Sequence, residues 1–154
     1  MIELASTDRD ALVVHAQEEY PNECCGVLVG AGNRVRQLYR TVNADHSPVT
    51  YRVDPRDLLR IFQELDDAGL EMVGIYHSHT HSPAYPSPTD VSYARGYPEA
   101  AYVIVSLADR RAPVVRSFRI ADGQIAEEEV VTREAPVEDQ EGSADQGGQG
   151  ADVY

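Results

Sequence analysis

The segment His77-Ser78-His79-Thr80-His81-Ser82-Pro83-Ala84-Tyr85-Pro86-Ser87-Pro88-Thr89-Asp90 decides how this chain is read. It begins at the end of MVGIYHSH, a run apolar and β-branched enough to be a strand. Residues two apart on a strand point to the same side, so His77 and His79 can present two imidazoles to one ion. HSPAYPSP holds too much proline to be regular, and it lets the chain double back. Asp90, near the start of a short helix over TDVSYARGY for which Thr89 is the expected cap, can then supply a carboxylate. Two histidines and a carboxylate leave a fourth position open for water, which is a hydrolytic zinc pattern.

Cleaving a peptide bond also takes a base that accepts a proton and hands it to the leaving amine. Glu23 is the candidate, because it lies where a first helix passes into the strand CGVLVG and can reach a neighbouring strand's end. Ser87 can donate a hydrogen bond to the oxygen that turns negative in a tetrahedral intermediate.

Around this segment the elements alternate. Ser6 and Thr7 are read as capping a helix over DRDALVVHAQEEY that ends at Pro21. CGVLVG and RVRQLYRTV read as a hairpin turning at AGN. Asp54 and Pro55 open a second helix, with Leu58, Leu59, Phe62 and Leu65 on one face until Gly69. AYVIVSL, VVRSFRI and QIAEEEVVT are expected as a three-stranded meander. The sum is an α+β sheet domain over residues 1–133.

From Glu134 the composition changes: the last 21 residues carry six acids, no base and the run GSADQGGQG. Such a segment buries too little apolar surface to offset its ordering entropy, so 134–154 is expected to be a disordered tail. The whole chain of 154 residues has a formal charge of −13, which disfavours nucleic acid as a partner. No stretch has the roughly 18–20 apolar residues of a membrane span, and the start MIELASTDRD does not resemble a signal peptide. With adjacent cysteines Cys24 and Cys25 as the whole complement, two free thiols in a reducing cytoplasm are expected. Thiol catalysis is left without a task by the metal motif.

An upstream Glu followed by His-x-His, seven residues, Ser, two residues and Asp resembles the JAMM, or MPN-plus, metallopeptidases, and every position of that pattern is filled. The resemblance implies zinc at His77, His79 and Asp90, Glu23 as general acid/base and Ser87 at the oxyanion. It also implies a cytidine-deaminase-like fold, a central mixed β-sheet flanked by helices. Beyond the motif, NECCGVLVG, NADHSPVTYRVDP, YHSHTHSPAYPSPTDV and RSFRIADGQIAEE resemble the bacterial sulfur-carrier peptidase branch. That implies a ubiquitin-like sulfur-carrier protein with a C-terminal Gly-Gly as partner, and release of cysteine from it in cysteine biosynthesis. The alternatives are a general isopeptidase acting on other ubiquitin-like adducts and a non-catalytic scaffold module. His81 is set outside the metal site as a loop histidine, and Tyr76 and Tyr85 stand equally as channel lining or as core.

Overall fold

The computed structural model describes residues 1–134, apart from the side chains of 66–68. The strands are β1 (Ile2–Ala5), β2 (Cys25–Ala31), β3 (Arg34–Thr41), β4 (Glu71–His79), β5 (Ala101–Ser106), β6 (Val114–Ala121), β7 (Gln124–Glu128) and β8 (Val130–Arg133). Three helices, α1 (Ser6–Glu19), α2 (Pro55–Ala68) and α3 (Pro88–Tyr93), pack on them. The strands form one mixed sheet in the order β7-β6-β5-β4-β2-β3-β1-β8. The expected mixed sheet flanked by helices is what the chain adopts.

Alternate residues of each central strand face opposite ways, so each strand feeds two cores. On one face Val27, Ile75, Tyr102, Ile104 and Phe118 pack against Ile61 and Leu65 of α2. On the other, Leu28, Leu38, Tyr76, Val103 and Val105 pack against Leu12 and Ala16 of α1. This explains why β4 is buried without interruption from Val73 to His79 instead of alternating.

Several expectations are corrected. α1 begins at Ser6 itself, with Ala5 as a cap that makes no side-chain bond, because the preceding residues Ile2–Ala5 are drawn into β1. On α2, Asp54 does cap by accepting from the Arg56 N–H, and Gly69 closes the helix at φ 71°. Its inward face, however, is Leu58, Ile61 and Leu65. Leu59 and Phe62 point outward at 60% and 36% exposure, since an i, i+3, i+7 stripe leaves the intervening positions on the solvent side. The last strand of the meander breaks at Glu129: β7 pairs with β6, whereas β8 pairs in parallel with β1.

Those two strands lie at opposite ends of the strand order, one residue apart in sequence, so the sheet curls until its outer strands run on from one another. The Met1 amine meets Glu128 Oε1 at 3.0 Å, and the Ile2 N–H donates to the Glu129 carbonyl at the seam. The acidic tail expected from 134 lies, from 135 on, outside the described residues.

Candidate active site

Glu23 and the two histidines meet because of one register. β2 and β4 are antiparallel, with Cys25 opposite His77, so continuing the ladder two residues brings Glu23 opposite His79. All four are odd-numbered positions on the same sheet face. Ser78, turned the other way, clamps the junction: its hydroxyl accepts from the Cys24 N–H at 2.8 Å, and its own N–H donates to the Cys24 carbonyl at 3.1 Å. The Glu23 N–H donates to the Ser47 carbonyl, and Asn43 Nδ2 donates to the Glu23 carbonyl. The backbone of the acid/base candidate is thus fixed on both sides.

Asp90 arrives from the far end of the proline-rich loop. Ser87, not Thr89, caps α3: its Oγ accepts from the Asp90 N–H at 3.0 Å while Asp90 Oδ2 accepts from the Ser87 N–H at 2.9 Å. This reciprocal box needs an acid three residues after the cap, which Ser87 has and Thr89 lacks. The box aims the same Oδ2 at both imidazoles, 3.1 Å from His77 Nε2 and 3.0 Å from His79 Nε2. All three side chains are buried, with donor atoms within 4.8 Å of one another.

The hydrogen-bond pattern at His79 tests whether a cation fits. Its Nδ1 lies 2.8 Å from the Pro83 carbonyl, so Nδ1 must carry the hydrogen. A neutral ring then turns the Nε2 lone pair toward a carboxylate oxygen, two acceptors face to face. A positive charge is required between or on them, and a metal ion meets that requirement with the second ring nitrogen anchored on a carbonyl, as ligating histidines usually are. Burial lowers the His79 pKa, but Asp90 and the Pro83 carbonyl outweigh it and raise it above the usual value. Burial lowers His77, and burial opposes but does not prevent the two imidazoles from holding Asp90 far below the usual carboxylate range. Among the described residues His77 Nδ1 has no hydrogen-bond partner; that ring is held instead by stacking on Tyr51 at 4.1 Å between centroids.

Glu23 is 3% exposed, and among the described residues its Oε1 has no hydrogen-bond partner. Burial pushes its pKa up to about 8, with His79 pulling down and Asp90 and Asp45 pushing up. It lines a cavity of about 200 Å³ together with His79, Ser87, His81 and the loop residues Pro48 and Val49. The five residues singled out by spacing therefore converge.

The model of the prokaryotic homologs of the JAB domain matches residues 6–121. The chain belongs to this family. Among JAB relatives it is 43% identical to the CysO-cysteine peptidase of Mycobacterium tuberculosis over 123 residues, 79% of this chain and 84% of that one. It is 36% identical to the desampylase of Haloferax volcanii over 117 residues, 68% of this chain and 80% of the other. A protein from Desulfitobacterium hafniense, solved in solution, superposes with a TM-score of 0.80 at 35% identity, covering 89% and 96% of the two chains. The JAB site and these relatives together support a hydrolase of the JAB peptidase type.

Other residues fall into place around it. Tyr76 is fully buried, its hydroxyl 2.7 Å from His15 Nδ1, so it belongs to the core and not to a channel. Tyr85 is half exposed and packs edge-on against Phe118. Cys24 and Cys25 are buried free thiols, and burial pushes the Cys25 thiol up to about 12, the opposite of an activated nucleophile. Sequence reasoning missed Ser78, Asn43 and Tyr51. Ser78 alone left a signal, as the residue between two ligands that must point away from them. Among the described residues, no helix is long and apolar enough to cross a membrane.

Proposed function

We propose that this chain is a zinc-dependent peptidase that hydrolyses the amide after the C-terminal Gly-Gly of a ubiquitin-like sulfur-carrier protein and releases cysteine. The observation that carries it is the convergence of His77 Nε2 and His79 Nε2 on Asp90 Oδ2, with Glu23, whose Oε1 has no partner among the described residues, lining one cavity with His79. The likeness to the CysO-cysteine peptidase supports the choice of substrate.

Zinc would be held by His77, His79 and Asp90 and, when bound, would supply Lewis acidity that polarises a carbonyl and lowers the pKa of water. Glu23 takes a proton at Oε1 and returns it to the departing amine. Its burial suits both halves of that exchange, since a carboxyl raised toward neutrality is a stronger base than an ordinary one and still gives its proton up. Ser87 Oγ accepts from the Asp90 N–H, which leaves its own hydrogen free to be donated to the oxygen that gains charge.

The isopeptidase reading draws support from the likeness to the desampylase of Haloferax volcanii. The deciding experiment is mass spectrometry of a carrier ending in Gly-Gly-Cys, incubated with the zinc-loaded chain and with chelator-treated chain. Loss of one cysteine residue with the loaded chain alone is expected. An intact adduct beside a cleaved Gly-Gly-lysine isopeptide would replace the cysteine assignment with the isopeptidase one.

A further inference from the structure

The cavity beside Glu23 has one wall that the hydrolytic mechanism does not use. His81 lines it, and its two ring nitrogens are both engaged. Thr80 Oγ1 donates to the Pro48 carbonyl at 2.9 Å, so it can only accept from His81 Nδ1, 3.0 Å away. Nε2 lies 3.1 Å from the Tyr20 hydroxyl in a second hydrogen bond. His81 is thereby held through both ring nitrogens. The face of the Tyr20 ring carries the Arg110 guanidinium, 4.1 Å from the ring centroid. Among the described residues Arg110 forms no ion pair with a carboxylate, in a chain whose net charge is −13.

We propose that Arg110, presented by Tyr20 and His81 at the rim of the active-site cavity, recognises the free α-carboxylate of a single amino acid attached to the carrier's terminus. This rests on the reading of the chain as a carrier peptidase and names its leaving-group class. Among the described residues neither lysine nor arginine lines the cavity itself, so a leaving group's own carboxylate finds its guanidinium at the rim. In a one-residue adduct that carboxylate is two bonds from the scissile nitrogen, and an isopeptide to a lysine side chain has none there. The Arg110 side chain is exposed and restrained by a ring contact, a weaker interaction than the two-pronged pairing a guanidinium makes with a carboxylate, so it can leave the ring for the substrate.

Two readouts test it. Cleavage of carrier-Gly-Gly-Cys is compared with cleavage of the same adduct ending in cysteinamide, for the wild-type chain, Arg110→Ala and Arg111→Ala. Wild type and Arg111→Ala should favour the free acid by about tenfold or more in kcat/KM, the worth of one charge-assisted bond, and Arg110→Ala should erase that preference. Equal rates on the two adducts, or a preference that survives Arg110→Ala, overturn the proposal while leaving the peptidase reading intact. The second readout is independent of turnover: Gly-Gly-Cys and its C-terminal amide are titrated into Glu23→Gln and into Glu23→Gln/Arg110→Ala by NMR. Tighter binding of the acid, lost with Arg110, is expected even if neither carrier adduct is cut, an outcome that would count against the peptidase reading alone. Equal or absent binding of both peptides overturns the rim.

Discussion

His15 is the residue at which burial has its plainest cost outside the site. Its ring is 3% exposed and bonded to the Tyr76 hydroxyl, and burial, with Arg40 adding, takes its pKa down to about 4 from 6.5. The folded chain therefore holds this ring neutral where the unfolded chain charges it, so stability falls as pH drops from 6.5 toward 4, by up to about 3 kcal/mol. Glu23 works in the other direction: its raised pKa costs stability as pH climbs from the ordinary carboxylate value toward 8. The two slopes overlap, so the check is a difference. Urea denaturation of wild type and His15→Gln between pH 7 and pH 4 should show wild type losing the larger share of stability, and parallel curves would refute the assignment. Residue by residue, the site was legible because metal chemistry restricts residue type and spacing. His77, His79 and Asp90 stand out on those grounds, whereas Glu23 and Ser87 are raised only by the ensemble around them. His81 stays outside the metal site as expected, but its tether was not legible, because its partner Tyr20 lies 61 positions away in sequence.

Among elements, the β2–β4 ladder matters most, since its register sets the distance between base and ligands. Ser78 carries that register past the last ladder pair, and its hydroxyl satisfies a buried N–H. Ser78→Ala should cost about 1–3 kcal/mol, the penalty for leaving such a donor unpaired. If the tether also positions Glu23, kcat should fall more than KM changes, with zinc content unaltered. Loss of zinc, or unchanged kcat, would show that Ser78 does not act through Glu23. The central strands were readable from their apolar, β-branched runs. β1 was not, because four residues, IELA, give too short a pattern to separate from a helix start. β8 was merged with β7 because periodicity continues through Glu129 while the pairing partner changes from β6 to β1, and partner identity leaves no local mark. The α2 face was misjudged at Leu59 and Phe62 because hydrophobic residues on a short helix need not all be buried.

Taken whole, the molecule brings the two outer strands of its sheet end to end at a seam in which Ile2 and Leu4, both fully buried, join the last strand to the α1 core. Every element described as positioning the site lies before residue 134, so a chain ended at Glu134 should keep the thermal midpoint and the cleavage rate of the full chain. A lowered midpoint, or a rate changed by more than about threefold, equivalent to roughly 0.6 kcal/mol, would give the acidic segment a part in the domain.

The proposed hydrolysis rests on cooperation between a metal centre and the buried Glu23 carboxylate. It is tested most directly by measuring zinc content and carrier-Gly-Gly-Cys cleavage on the same samples of wild type and Glu23→Gln. The account predicts one zinc per chain in both, with cleavage slowed by a factor of about 10² to 10⁴ in the variant, the usual contribution of a general acid/base. A zinc-loaded Glu23→Gln that cleaves at the wild-type rate would contradict it.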